Sequence, residues 1–463
     1  MNIVTHHQCG CGIEHRIQKD LFKSKDPNKK EFEQYKVKLG DRYTPVMDEY
    51  HAMAAAMDDN NNGIISSEEI LPPVSKIGHA EVDQPDFTFS FKHKLAGWSN
   101  PWADQYPSAA QIHQNMDKLS EQHPGLVHKT VLGTSAEGRP LIAYRVGKGN
   151  EGDKPGVLVV GGQHAREWAG NGAVTETVEK LLGGYGKDPE MTEKVDGLEM
   201  WFVPMANPDG YEYNRQFAPG GGGMWRKNRR NNGGGVWGVD LNRNYDWEWG
   251  PQWGGSSGNP SSETYRGPSA GSEPEIQALV AFMAQHPPAF SVSAHTFSNM
   301  WLFPWGYTEL LTPHDDLLRS LAEEIAAPGW IWGAPWQILY DANGTNMDYH
   351  YGLHGCLAVS PEIGSDSDGF WPNPANIPSL FEDVRPGYLA MAQRSGAWLE
   401  VDGLEVFEVT GDGDGDPEPG EEVEVVFDVR NRGIAPASGA VTLSVASPDL
   451  SVTNGTTTLS VPA

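Results

Sequence analysis

Residues 157–168 read VLVVGGQHAREW: an apolar run, a glycine pair, a histidine and, three positions later, a glutamate. A short β-branched run closed by Gly-Gly predicts a buried strand, Val157–Val160, with His164 and Glu167 just past its carboxyl end. The pattern recurs twice, in FSVSAH, which ends on His295, and in LAVSPE, which ends on Glu362. Helical patterns lie between. YPSAAQIHQNMDKLSEQHPG carries Ile112, Met116 and Leu119 at helical spacing, SEPEIQALVAFMAQ opens on a Ser272–Glu275 capping-box pattern, and PHDDLLRSLAEEIA predicts a further helix. Two strand patterns flank the turn SAEGRP. Strands alternating with helices predict an α/β fold, a mixed and mostly parallel twisted sheet with helices on both faces. Ligands of such sheets gather at the carboxyl ends of the strands.

An HxxE pair by itself is a weak signal, because short motifs need structural context. The context here is a strand before the pair, a helix-forming segment after it, and a second strand-end histidine. Two His and one Glu form the first shell of a catalytic zinc with one position left for water. A further carboxylate nearby completes what water-driven hydrolysis requires. A Gly-rich loop, APGGGGMWRKNRRNNGGGVWG, adds Arg226, Lys227, Arg229 and Arg230. Loops of this length inside a compact domain are usually functional or mobile.

HAREW, MWRKNR, VDLNRNYD, SAHTFSNMWLFPWG, LYDANGTNMDY and the strand ending at Glu362 resemble, in order and spacing, the zinc metallocarboxypeptidases of the pancreatic carboxypeptidase A/B type. The resemblance covers roughly residues 105–400. It implies zinc ligands His164, Glu167 and His295, with Asp240 orienting the first histidine. It implies Glu362 as general base, Arg229 as the cation beside the tetrahedral oxyanion, and Arg226 as its assistant. Asn242, Arg243 and Tyr340 match the groups that hold the substrate's terminal carboxylate, and Arg166 matches a secondary subsite. Met347 matches the floor of the specificity pocket, where members that cut after Lys or Arg carry Asp. Leu302, Gly306, Ala342, Thr345 and Ser360 are the other expected lining residues. All are neutral, and a neutral floor cannot compensate a buried ammonium or guanidinium. The chain departs from animal members at Phe297, where they carry Tyr, and SPEIGSDSDGFWPNP around Glu362 looks more like bacterial members. The chemistry is coherent: a bidentate guanidinium suits a free carboxylate, and a fixed cation suits an oxyanion.

The expectation is therefore an enzyme acting on peptide or protein C-termini and releasing single aromatic or large aliphatic residues. One alternative is the same fold acting on cell-wall peptides or other amides. Another is a calcium-organised adhesion or binding protein with an inactive peptidase-like domain.

At 463 residues the chain has room for several domains. Three are expected: 1–100, 101–400 and 401–463. In the first, Val46, Tyr50, Met53 and Met57 share a helical face ahead of DDNNNGIISSEE, residues 58–69. Asp58, Asn60, Asn62, Ile64 (through its carbonyl), Ser66 and Glu69 fall at the ligand positions of an EF-hand loop, with Gly63 at the turn, so calcium is a second expected metal. This region occupies the place of a pro-segment in digestive relatives. In the last, Val423, Val425, Phe427 and Val429 alternate with polar neighbours, which predicts a β-sandwich, cut short at Ala463. GDGDGDPEPGEE between its strands begins like a calcium loop but has Pro417 where the glycine belongs.

Acidic residues outnumber basic ones 62 to 34, a net charge of −28. That argues against nucleic acid or an anionic membrane as partner. The three cysteines cannot make a disulfide scaffold, and Cys356 lies in an apolar run and should pack as a small hydrophobe. No apolar run is long enough for a membrane span, and the first residues lack the apolar centre of a signal peptide. The family resemblance, the calcium pattern and the acidity together favour a secreted or extracellular protein. Oligomeric state is not legible.

Overall fold

A computed structural model of the chain describes residues 106–411, 420–442 and 456–461, together with the backbone of three short strands within the first 65 residues. Apart from the backbone of Ile64–Ile65, the calcium-loop pattern at 58–69, the helical face at 46–57 and the acidic stretch 412–419 lie outside the described residues.

The strand VLVV forms as β3, Gly156–Gly161, buried along both faces. With β1 (Val127–Thr134), β2 (Pro140–Val146), β4 (Glu199–Val203), β5 (Phe290–Ala294), β6 (Met300–Leu302), β7 (Ile331–Gly333) and β8 (Leu357–Glu362) it builds an eight-stranded sheet in the order β7-β6-β8-β5-β3-β4-β2-β1. The centre is parallel (β4, β3, β5 and β8), while β1–β2, β2–β4 and β6–β8 pair antiparallel. The turn SAEGRP closes the β1–β2 hairpin, as its sequence predicts. Parallel strands covered by helices carry apolar residues without alternation, which is why β3 reads as a continuous run.

Helices α1 (Ala109–Gln122), α2 (Trp168–Gly184), α3 (Pro189–Gly197), α4 (Pro208–Phe217), α5 (Pro274–Gln285), α6 (Asp315–Ile325), α7 (Pro335–Ile338), α8 (Asn346–His354) and α9 (Ile377–Arg394) complete this unit. Helix α2 is buried on nearly every side and follows the site directly. Its approach to the sheet demands glycine: a Cβ on Gly170 would lie 2.6 Å from the Ala294 carbonyl oxygen, and Gly162, at φ +71°, would put one 2.3 Å from Asn171 Nδ2. The Ser272–Glu275 capping box does not form. Helix α5 starts at Pro274 with Glu273 at its N-cap, and Glu275 instead accepts bonds from Ala136 N and Asn228 Nδ2. Long-range partners have taken the side chains that the local pattern assigned to the cap. Cys356 is buried, as its apolar run predicts.

Beyond α9 the texture changes to antiparallel ladders, β9 (Leu399–Thr410) with β10 (Glu422–Asn431) and β11 (Ala437–Thr442) with β12 (Thr456–Val461). In β10 the face carrying Val423, Val425, Phe427 and Val429 is the more covered one. Ile434 N–H donates to the Arg394 carbonyl at 2.9 Å and its side chain packs against the hydrophobic core of the α/β unit, so this module is stitched to the end of α9.

Candidate active site

His164, Glu167, His295 and Glu362 converge where β3, β5 and β8 end. His164 and Glu167 occupy the turn between β3 and α2, with Glu167 at the helix N-cap. His295 follows β5, and its backbone bridges to β8: His295 N donates to Pro361 O and Ile363 N donates to His295 O, both at 2.9 Å. This register sets Glu362 beside the histidine.

The two imidazoles face each other through Nδ1, 3.0 Å apart, and each Nδ1 meets one Glu167 oxygen, at 2.8 Å for His164 and 2.7 Å for His295. The ligand atoms of the three side chains lie within 4.8 Å of one another, and all three residues are buried. The outer nitrogens are separately engaged. His164 Nε2 meets Asp240 Oδ1 at 3.1 Å, while His295 Nε2 meets Ser293 Oγ at 3.0 Å and Asn242 Nδ2 at 3.3 Å. The Asp240 carboxylate, which can only accept, keeps the proton on His164 Nε2 and turns its Nδ1 lone pair inward. That lone pair, the Glu167 carboxylate and the second imidazole crowd one point, and two nitrogens with one carboxylate are zinc's preferred chemistry. The residues fit the metal.

Burial opposes ionisation of Glu167, but His164 and His295 facing it hold its carboxyl far below the usual range. Burial likewise opposes the charge on Asp240, and Arg226 and His164 outweigh it. Glu362 goes the other way: burial, then the nearby Glu167 carboxylate, push it well above the ordinary value, with Arg226 and Arg243 opposing. Such a carboxylate is suited to taking a proton.

One cavity is lined by His164, Glu167 and Glu362 and by Arg166, Arg226, Asn242, Arg243, Tyr340 and Met347. Asp240, Asn242 and Arg243 share a single 3-10 turn, Leu241–Arg243, capped by Asp240 Oδ1 accepting from Asn242 N at 3.0 Å. Arg243 is buried and fixed by the carbonyls of Gly255 (2.9 Å) and Asn242 (2.6 Å). Tyr340, 51% exposed, stands at the rim with its ring 6.0 Å from the Arg243 guanidinium. Arg166 stacks over Phe370 at 4.4 Å. Leu302, Ala342, Thr345 and Ser360 line the cavity as expected; Gly306 does not, and its N–H is taken by Asp348 Oδ1 at 2.8 Å.

Arg229 departs from expectation. It does not line the cavity. Its guanidinium sits 3.8 Å over the ring of Tyr213 and within 4.9 Å of the rings of Trp225 and Trp237. Arg226 takes the inward place, bonding Asp240 Oδ2 at 3.0 Å and reaching Glu167 Oε1 at 3.5 Å. Burial disfavours its charge, but Asp240 and Glu167 hold it firmly protonated. In a loop without a period, nothing local distinguishes the two arginines.

Sequence reasoning also passed over Ser293, Phe370, Pro335 and Leu339. Ser293 was recoverable: strand alternation puts it, with Ser291, on His295's face, two hydroxyls between apolar residues. Phe370 lies on a connection, and Pro335 and Leu339 bracket the single-turn helix α7; none carries such a signal.

A family model described as zinc carboxypeptidase matches residues 112–387. Mouse carboxypeptidase A2 is 33% identical over 257 residues, covering 54% of this chain and 60% of that protein. Zinc carboxypeptidase A 1 of Anopheles gambiae is 31% identical over 376 residues, 78% of this chain and 82% of the relative. Among solved structures, thrombin activatable fibrinolysis inhibitor superposes with TM-score 0.59 at 26% identity, covering 64% of this chain and 75% of that one. Carboxypeptidase A from Helicoverpa armigera gives 0.56 at 27%, covering 62% and 74%. The chain spans about 60% of the length of the mouse relative.

Proposed function

The chain belongs to the zinc carboxypeptidase family, and from that premise we propose that it hydrolyses the C-terminal peptide bond of peptides or proteins, releasing one residue at a time. The observation that carries this reading is one cavity lined by His164 and Glu167 of the His164–Glu167–His295 cluster, by Glu362 and by two inward arginines, Arg226 and Arg243.

In this reading His164, Glu167 and His295 hold the zinc. When bound, zinc lowers the pKa of water and polarises the scissile carbonyl. Glu362 takes the proton from the attacking water and passes it to the leaving amine. The family resemblance assigns the cation beside the developing oxyanion to Arg229, while Arg226, paired with Asp240, is the arginine of that loop that lines the cavity. Arg243, with Asn242 and Tyr340, grips the terminal carboxylate, which restricts attack to the last bond. Asp240 fixes the His164 tautomer and anchors Arg226 with its second oxygen.

The specificity pocket is walled by Leu302, Pro335, Leu339, Ala342 and Met347, and among the described residues the carboxylates lining the cavity are Glu167 and Glu362. This supports preference for aromatic or large aliphatic terminal residues. N-blocked dipeptides ending in Phe, Leu, Lys and Arg test it. Phe and Leu should be released fastest, and a chelator should stop the reaction. Faster release of Lys or Arg would refute the preference, and no release at all would refute the activity.

Outside the catalytic unit, the pattern at Asp58, Asn60, Asn62, Ile64, Ser66 and Glu69 supports a calcium site, and the alternation in β10 supports a sandwich-type accessory module after residue 400. A rise in melting temperature on adding calcium, absent from a Glu69→Gln variant, is the outcome that calcium binding requires. The acidity and calcium pattern favour an extracellular setting, which fractionation of the producing cells would check.

A further inference from the structure

A buried polar chain runs through the core behind the cavity. Tyr245, Asn346, His350 and Ser291 are each at most 1% exposed, and each keeps a polar side-chain partner. Asn346 Nδ2 donates to Tyr245 Oη at 3.2 Å and meets His350 Nε2 at 3.3 Å, while His350 Nδ1 lies 2.6 Å from Ser291 Oγ. Burial, with His354 adding to it, pushes the His350 pKa down to about 3, so the ring is neutral. An amide N–H can only donate, so Nε2 accepts and the ring proton sits on Nδ1, which donates to Ser291. A buried network whose members are satisfied rigidifies the elements it joins.

The elements joined are those that must agree for a terminal residue to bind. Tyr245 lies just past the 3-10 turn that carries Asn242 and Arg243, and its N–H donates to Gly344 O at 3.0 Å. Asn346 is the first residue of α8, and its N–H donates to Asn242 Oδ1 at 2.9 Å. With that oxygen taken, Asn242 has Nδ2, a donor, for a carboxylate, which can only accept. Met347, which lines the pocket, follows Asn346 directly. Ser291 lies on β5, on the strand face that His295 continues. We propose that Asn346 and His350 are positioning residues: through Tyr245 and Ser291 they lock the Asn242–Arg243 turn and the first turn of α8 to the strand that delivers His295. The terminal carboxylate and the terminal side chain are then received in fixed register with the zinc cluster. This rests on Asn242 and Arg243 gripping the carboxylate. The loss on breaking the chain falls on binding of the terminal residue, because His164 and His295 keep their own partners, Asp240 and Ser293.

The test uses the zinc-loaded full chain, an N-blocked dipeptide ending in Phe, and free Phe as a competitive inhibitor. Tyr245→Phe and Ser291→Ala each delete one hydroxyl and leave the rest of the side chain in place. Each should raise KM and the inhibition constant for free Phe about three- to tenfold, the worth of one buried hydrogen bond. The kcat and the zinc stoichiometry should stay within about twofold, the pattern of lost uniform binding. The double variant should lose less than the product of the two single losses, because either deletion opens the same chain. His350→Ala, which opens it at the centre, should raise both constants further, and His350→Gln, whose amide can accept and donate, should recover part of that loss. If His350→Ala loses its thermal transition, the two hydroxyl deletions carry the test. Unchanged KM and free-Phe inhibition in the hydroxyl deletions, even with a lowered melting temperature, would overturn the proposal, as would a fall in kcat at constant KM. Arg243→Met should raise both constants by more than any variant of the chain; if it changes neither, the reading of the carboxylate clamp fails instead.

Discussion

Asp240→Asn should weaken zinc binding and loosen the zinc-free fold through two separable effects. Asp240 is fully buried and spends both oxygens. Oδ1 accepts from Asn242 N and faces His164 Nε2; Oδ2 accepts from Arg226 Nε and lies 3.0 Å from its Nη2. Asparagine offers one oxygen and one NH₂. With the NH₂ toward Arg226, donor meets donor, and a buried guanidinium keeps only Glu167 at 3.5 Å. With the NH₂ toward His164, Nε2 must accept, which moves the ring proton to Nδ1, the atom that faces the other ligands. Loss of such an outer partner typically costs 10–100-fold in metal affinity, or about 1.4–2.7 kcal/mol. Breaking a buried ion pair costs about 3–5 kcal/mol, and the surviving Glu167 contact favours the lower end. Zinc affinity should be measured by competition with a chromophoric chelator, and stability by denaturant unfolding of the zinc-free protein. Wild-type values in both assays would show that Asp240 neither sets the tautomer nor anchors Arg226.

Glu362→Gln should keep zinc bound at wild-type stoichiometry while kcat falls by ~10²–10⁴, the usual worth of a positioned base; substantial turnover would assign the base elsewhere. Because Glu362 must be ionised to accept a proton and its environment raises its pKa, kcat/KM should climb as pH rises through that pKa, and the residual activity of the variant should lack this acid limb. Met347→Asp puts a carboxylate on the buried pocket floor, so release of Lys and Arg should rise and release of Phe should fall, read as ratios of kcat/KM for matched dipeptides. Gly352→Ala in α8 would drive a Cβ to 2.3 Å from the ring of Trp247, which stacks on Trp305; overpacking of this kind costs about 1–3 kcal/mol, and melting temperature should fall.

Much of the fold was legible because its decisive signals are local. A buried parallel strand carries small and apolar residues on both faces, so β3, an unbroken apolar run, and β5 and β8, interrupted only by serines before their ends, could be read from the chain together with the residues at their ends. Helices α1 and α6 follow from their apolar spacing. The α5 cap was misread because Glu275 is claimed by Ala136 and Asn228, partners 139 and 47 residues away. Tyr340 and Met347 were found through motif resemblance, since nothing in their neighbours' pattern marks a rim or a pocket floor.

The two arginines of MWRKNR draw the line between what the linear chain determines and what the tertiary structure decides. By itself, the sequence determined that this crevice would hold two histidines, two glutamates and a supply of guanidinium groups, because strand ends and residue chemistry are properties of short segments. Which guanidinium turns inward is not such a property. Arg226 faces the zinc cluster because Asp240 and Glu167, 14 and 59 residues away, offer it buried carboxylates. Arg229 faces outward because Tyr213, Trp225 and Trp237 offer it rings. A loop has no periodicity to carry such a choice, so it is settled only when distant carboxylates and rings are brought together by the fold.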